Sequence, residues 1–147
     1  MKVSGSIEFE LIEQTSDKVV GRMPVQPGIQ NPFGTVHAGA TLWLADVCAT
    51  VLAFGGAEMK VGPSGFPLAI NLSANLLGNQ KEGSLLATSV FVKKGKRLSV
   101  VRTTVTGEGG RLFAEMSPPA TFPHSKRMRV RHARMCGLGS GTDFSTS

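Results

Sequence analysis

Cysteine is nearly absent from this chain. Cys48 and Cys136 are the two among 147 residues, and two cannot make the disulfide framework of a small secreted scaffold. Cys48 lies in an apolar stretch and reads as a buried thiol, which suits a reducing cytoplasm. No charged segment followed by an apolar core opens the sequence, so no secretory signal is expected. His, Cys, Asp and Glu nowhere cluster at ligand spacing, so no metal is expected. No finger spacing, recognition helix or aromatic-studded basic stripe points to a nucleic-acid partner. No internal repeat is present.

Charge is scarce in the first half. Between Met23 and Glu58 the one charged residue is Asp46, inside the run from His37 to Ala57 that is otherwise apolar or small. A carboxylate in apolar surroundings is costly to desolvate unless it is paired or hydrogen-bonded, so a chain that keeps one there commonly uses it. Ala38 to Ala57 is about long enough to span a bilayer. Asp46 would then sit near the bilayer centre, at roughly 2.5–3.5 kcal/mol, and no cation closely flanks the run. A core helix wrapped by a sheet, apolar nearly all round, fits better, and no membrane span is expected.

A chain of this length normally forms one domain, burying about 68–70% of its unfolded surface. Its net charge of +6 is unevenly spread. From His124 to Ser147, Lys126, Arg127, Arg129, Arg131 and Arg134 face Asp143 alone, so four of the six net positive charges lie there. The body is close to neutral. The reading is a single domain over 1–122 and a basic, solvated tail over 123–147, whose Gly/Ser/Thr-rich end reads as flexible.

Alternation predicts a strand or edge element over Ile7–Ile12 and a second extended segment over Lys18–Val25. Gln26–Gly34 is a Pro/Gly/Asn-rich loop. A helix is predicted over Val36–Phe54, ended by Gly55 and Gly56. Glu58–Phe66 is a turn-rich linker. Four strands follow, over Pro67–Leu77, Ser84–Lys93, Arg97–Gly107 and Arg111–Thr121. Gly78-Asn79, Gly95 and Gly109-Gly110 separate them as hairpin signals. One buried helix followed by a four-stranded antiparallel meander is an α+β layout.

The lead into the helix reads Asn31-Pro-Phe-Gly-Thr-Val-His37-Ala-Gly-Ala, with Leu44-Ala45-Asp46 following. This pattern resembles the hotdog-fold acyl-CoA thioesterases of the phenylacetic-acid-degradation type, over about Ile7 to Thr121. Their signature is an Asn or Gln, a G-x-x-H-G-G-like turn, and a helix with an Asp or Glu nine residues after the His. The resemblance implies an antiparallel sheet wrapped around a central helix. It also implies a homo-oligomer, a dimer or dimer of dimers, with Asp46 of one protomer facing Asn31 and Ala38 of the other across the interface.

Thioester hydrolysis needs these residue types. A backbone N–H at a helix start stabilises the oxyanion that forms on the attacked carbonyl. The resemblance gives that role to Ala38, where most relatives have Gly. Asp46 is then the general base that activates water, or a nucleophile forming a transient anhydride. Thr50, one turn on, orients the water or the carboxylate. Asn31 positions water or the thioester, and His37 shapes the turn. Each has a plainer reading. Asn31 is a turn former, His37 a helix-start residue, Thr50 bonds back to a helix carbonyl, and Asp46 is a structural acid. Trp43 is core or acyl-pocket wall, and Phe33, Phe54 and Phe66 are either pocket lining or core.

Lys93, Lys94, Gly95, Lys96 and Arg97 fall between two predicted strands. They form either a site for the phosphates of CoA, with Gly95 admitting close backbone approach, or a soluble hairpin turn. Coenzyme A belongs to the substrate, and no separate cofactor is expected. Two other functions compete with hydrolysis. A hotdog hydratase wants a His soon after the helix Asp, and Val51 stands five residues past Asp46. A non-catalytic acyl-CoA-binding module has no need of Asp46.

Overall fold

A computed structural model describes residues 6–55, 69–95, 98–116 and 120–123. The linker at 58–66, Phe66, Lys96, Arg97, Cys136 and the basic tail from His124 onward lie outside the described residues. Strands β1 (Glu10–Gln14) and β2 (Lys18–Pro24) lead to a 3-10 turn (Pro27–Ile29) and helix α1 (Ala38–Phe54). Then come β3 (Asn75–Leu76), β4 (Ser84–Lys93), β5 (Leu98–Thr106), β6 (Leu112–Glu115) and β7 (Ala120–Pro123). The strands form one antiparallel sheet in the order β1-β2-β4-β5-β6-β3, with β7 also paired to β5. This is the α+β hotdog layout, a sheet against one long helix.

The helix stops where the chain needs a left-handed residue, at Gly55 with φ 95°. It starts two residues later than predicted, because Val36 bridges to Gln30 and His37 is extended at the cap. One side of α1 packs on the sheet. Leu44, Cys48 and Leu52 are wholly buried, together with Val19 and Met23 of β2, Leu85 and Ala87 of β4, and Val101 and Val105 of β5. The approach is close. A Cβ on Gly21 would meet Cys48 Sγ at 2.6 Å. Burial pushes the Cys48 thiol up to about 12, so it is an inert core group. Beneath the helix the hydroxyls of Ser89 and Thr103 satisfy one another at 2.7 Å.

The structure corrects several expectations. The helix is not buried all round: Trp43 is 43% exposed, and Leu42, Asp46 and Val47 are partly open on the same outward face. The last four strands are not a simple meander. The predicted Pro67–Leu77 strand shrinks, within the described residues, to Asn75–Leu76, which pairs β6 and not β4. Gly78-Asn79 is therefore no hairpin turn. The N–H groups of Leu77 and Gly78 both donate to Phe113 O, at 2.9 and 3.0 Å, prolonging the β3–β6 contact. The Arg111–Thr121 strand is two strands, β6 on Thr104–Thr106 and β7 on Leu98–Val101. Pro118 and Pro119 fall between them and have no N–H for a ladder. The first strand is shifted to Glu10–Gln14, with an irregularity between Leu11 and Glu13.

Candidate active site

The loop before α1 is built on Asn31. Its Oδ1 accepts the N–H groups of Phe33 (2.9 Å) and Thr35 (3.2 Å). Its backbone pairs with Thr35 O and Gly34 N at 2.8 and 2.9 Å. Gly34 supplies the positive φ, 75°, that closes the turn. Asn31 Nδ2 donates to Thr35 Oγ1 at 2.8 Å. The turn is braced from the β3–β4 loop, where Val36 N–H donates to Gln80 O at 3.1 Å and Gln30 Nε2 reaches Lys81 O at 3.0 Å. Asn31 is thus a turn former in fact, and one of its two Nδ2 hydrogens is committed.

His37 caps the helix. Its own N–H goes to Ile29 O at 2.7 Å, and its Nδ1 accepts the Gly39 N–H at 2.9 Å. An accepting Nδ1 places the neutral ring's proton on Nε2. The amides of Ala40 and Thr41 both donate to His37 O, at 3.0 and 3.3 Å. Ala38 N–H, by contrast, has no acceptor among the described residues. It sits exposed at the positive end of the helix dipole.

Asp46 stands two turns further along, on the outward face, with Trp43 three residues before and Thr50 four after. No cation or hydrogen-bond donor is paired with it among the described residues. Partial burial raises its pKa above the ordinary 3.8. Thr50 is 8% exposed. Ala38 and Asp46 are eight residues apart, roughly 12 Å along the axis. One chain therefore brings Asn31, His37 and Ala38 together but leaves Asp46 and Thr50 apart from them.

The basic loop divides. Lys93 is exposed at the end of β4. Lys94 is tied to the β1–β2 turn, its Nζ donating to Ser16 O at 2.8 Å and Asp17 Oδ1 at 3.3 Å, 4.9 Å from the Phe91 ring centre. The Ser16 hydroxyl and then Lys94 lower the Asp17 pKa. Gly95 is there for space, since a Cβ would meet Leu98 O at 2.4 Å. A groove of about 470 Å³, lined by Glu8, Phe9, Glu10, Arg22, Pro24 and Ser84, contains none of the predicted site residues. Phe9 meets Trp43 edge-on, centroids 4.6 Å apart.

No helix among the described residues is long and apolar enough to cross a membrane. No His/Cys/Asp/Glu group there is arranged to hold a metal ion.

The family profile of the thioesterase superfamily matches residues 33–114, from the Asn31 turn through β6. The chain belongs to the thioesterase superfamily. Its enzyme class is accordingly that of thioester hydrolases. The 1,4-dihydroxy-2-naphthoyl-CoA hydrolase of Listeria monocytogenes is 26% identical over 113 residues, 77% of this chain and 89% of that one. A thioesterase of Haemophilus influenzae superposes with TM-score 0.71 at 19% identity, over 84% of this chain and 82% of that one. A hypothetical thioesterase protein of Streptococcus pneumoniae, whose crystal structure holds coenzyme A, gives TM-score 0.69 at 18% identity, over 80% of this chain and 86% of that one. At these identities the structural likeness speaks for the fold.

Sequence reasoning did not single out the contact between Thr35 and Asn79. Thr35 lies inside the Asn31–His37 stretch, and Asn79 beside Gly78 reads as a turn residue. Its amide in fact donates to Thr35 Oγ1 at 2.9 Å.

Proposed function

We propose that this protein hydrolyses a small, medium-chain or aromatic acyl-CoA thioester at a site shared by two copies of the chain. The observation that carries the proposal is that Asp46, partly buried, and the Ala38 N–H, roughly 12 Å away along the helix, are both without a partner among the described residues. One carbonyl cannot touch both in one chain. A second copy, docked on the outward face of α1, brings its Ala38 to the first copy's Asp46. That face offers apolar surface for docking in Leu42, Trp43 and Val47. The β3 edge adds Leu76 and Leu77, 48% and 55% exposed.

In the reaction Asp46 takes a proton from water, whose oxygen attacks the thioester carbon. The Ala38 N–H and the helix start stabilise the oxyanion. The C–S bond then breaks, CoA leaves as a thiolate, and the carboxyl proton neutralises it. The raised pKa of Asp46 makes it a better base than an ordinary carboxylate. As the alternative, Asp46 attacks directly and water opens the resulting anhydride. Phe33, 84% exposed at the tip of the Asn31 turn, and Trp43 are candidates to meet the acyl group or the partner. CoA enters as part of the substrate, with Lys93, Lys96 and Arg97 as candidates for its phosphates. The acyl-CoA named in the Listeria relative and the coenzyme A held by the Streptococcus structure support this substrate class.

Incubating purified protein with a panel of acyl-CoAs and a thiol-trapping dye tests the proposal. Thiol release abolished in Asp46→Asn supports it. Binding without release by folded protein across the panel would make this a non-catalytic acyl-CoA module. A single turnover in ¹⁸O water separates the two chemistries. Label found in the Asp46 carboxyl after that turnover would mark Asp46 as a nucleophile whose anhydride water opens at the enzyme's carbonyl; a base leaves Asp46 unlabelled.

A further inference from the structure

Thr35 Oγ1 is a junction that hydrolysis as described above leaves unused. It accepts two N–H donors, Asn31 Nδ2 at 2.8 Å and Asn79 Nδ2 at 2.9 Å. Asn79 comes from the β3–β4 loop, 44 residues away in sequence. Both amides are held in one orientation. Asn31 Oδ1 accepts two backbone N–H groups, so a flipped amide would point its NH₂ at two donors. Asn79 Oδ1 accepts Gln80 N–H at 2.9 Å, which fixes that amide as well.

The consequence for Asn31 is specific. Its oxygen is saturated by the turn, and one Nδ2 hydrogen is spent on Thr35. The other Nδ2 hydrogen has no acceptor among the described residues. It projects in a direction set by the rigid amide plane, six residues before the His37 cap. A neutral donor held this way, without reorganising when substrate arrives, is suited to a carbonyl that gains negative charge.

We propose that Asn79 and Thr35 are positioning residues for the thioesterase reaction, fixing the Asn31 amide so that its remaining N–H meets the thioester oxygen. This rests on the hydrolytic reading above. Asn79 touches no substrate; it acts through Thr35. Because the bond to the carbonyl strengthens as the oxyanion forms, the effect of losing the alignment falls on kcat more than on KM.

Thr35→Val keeps the shape and removes the acceptor; Asn79→Ala removes the second donor. Each is expected to lower kcat about three- to tenfold with KM nearly constant, the scale of one misaligned hydrogen bond. Thr35→Ser keeps the hydroxyl and should stay near wild type. Purely structural roles would lower Tm in the same variants and leave kcat per folded enzyme unchanged, so that outcome overturns the proposal. A second measurement uses Asn31→Asp, which retains both backbone bonds to Oδ1 and loses the NH₂. The Thr35 hydroxyl, which has a proton of its own, can then donate to the new carboxylate and hold the turn. In that background Thr35→Val and Asn79→Ala should cost no further activity while still lowering Tm. Equal losses of kcat in the two backgrounds would show that neither acts through Asn31. If Asn31→Asp leaves kcat unchanged while Asp46→Asn abolishes turnover, hydrolysis stands and the positioning proposal falls. If Asp46→Asn turns over normally, the role given to Asp46 falls; if the wild-type protein releases no thiol from any acyl-CoA, the hydrolytic reading itself fails.

Discussion

His37 Nδ1 accepts the Gly39 N–H at 2.9 Å, and this bond divides the amides at the start of α1 between structure and chemistry. With Gly39 capped, and Ala40 and Thr41 bonded to His37 O, Ala38 alone of that first turn offers a free N–H among the described residues. The imidazole closes the helix end, so that one donor is left pointing outward at the dipole's positive end.

His37→Ala should therefore act on stability. Loss of an N-terminal cap costs about 0.5–2 kcal/mol. His37→Asn, which presents a cap oxygen in place of Nδ1, should recover most of it. Urea denaturation at neutral pH measures both. A variant as stable as wild type but without turnover would instead make His37 part of the chemistry.

Asp46→Asn should lower kcat by at least about 10²-fold, the low end for a general base, with little change in KM. Its stability should move the other way. A carboxyl whose folded-state pKa is raised holds its proton more tightly when folded. Its ionisation penalises the folded state fully at pH above the folded pKa; the penalty shrinks as pH falls through that pKa and is gone below the ordinary value of 3.8. Asp46→Asn should thus melt at or above the wild-type Tm at pH 7, the difference shrinking toward pH 3.8. The acidic limb of the wild-type kcat profile should lie above the ordinary carboxylate value. Melting well below wild type with near-normal turnover would mark Asp46 as structural.

What was legible in the sequence is what local pattern and burial govern. Ser84–Lys93 was delimited by its alternation and β2 to within a residue, because these strands pack one face on α1 and leave the other open. Asp46 stood out because it is the lone charge in an apolar run. Non-local choices were not legible. Nothing near Asn75 says that it pairs Glu115 on β6 in preference to β4. Asn79 looks like any turn residue until the Asn31 loop folds against it. Lys94 looked like a phosphate ligand because its partners, Ser16 and Asp17, are 77 or more residues away.

The basic loop should accordingly respond unevenly. Lys93→Ala, with or without Lys96→Ala, is expected to raise KM for CoA thioesters more than for pantetheine thioesters, which lack the nucleotide phosphates. Lys94→Ala should raise neither selectively, because its ammonium already holds the β1–β2 turn. A selective KM increase in Lys94→Ala alone would mean that substrate displaces it from Asp17.

Removing His124 to Ser147 should leave kcat and KM within about twofold, because these residues lie beyond the stretch 33–114 that the family profile matches. Steady-state assays of the truncated and full chains with the same acyl-CoA decide it. A loss confined to KM would give the tail a part in holding the CoA phosphates.

Ala38→Pro isolates the oxyanion donor without changing the fold. Proline is favoured at the first helical position, where its missing N–H breaks no helical bond. The preceding residue is already suited to it, His37 being extended at φ −71°, ψ 132°. The variant should fold and lose about 10²–10³ in kcat, as removal of one oxyanion donor does. It also tests the shared site. Asp46→Asn and Ala38→Pro homodimers are each inactive in both sites. When subunits are exchanged, a mixed dimer places the wild-type Asp46 of one copy against the wild-type Ala38 of the other in one of its two sites. An equal mixture should then recover about a quarter of wild-type activity, as random pairing of a two-fold dimer requires. Light scattering must show the dimer or a larger assembly before and after mixing. Recovery absent despite proven exchange would mean that Asp46 and Ala38 serve the same chain, and a stable, fully active monomer would mean the same.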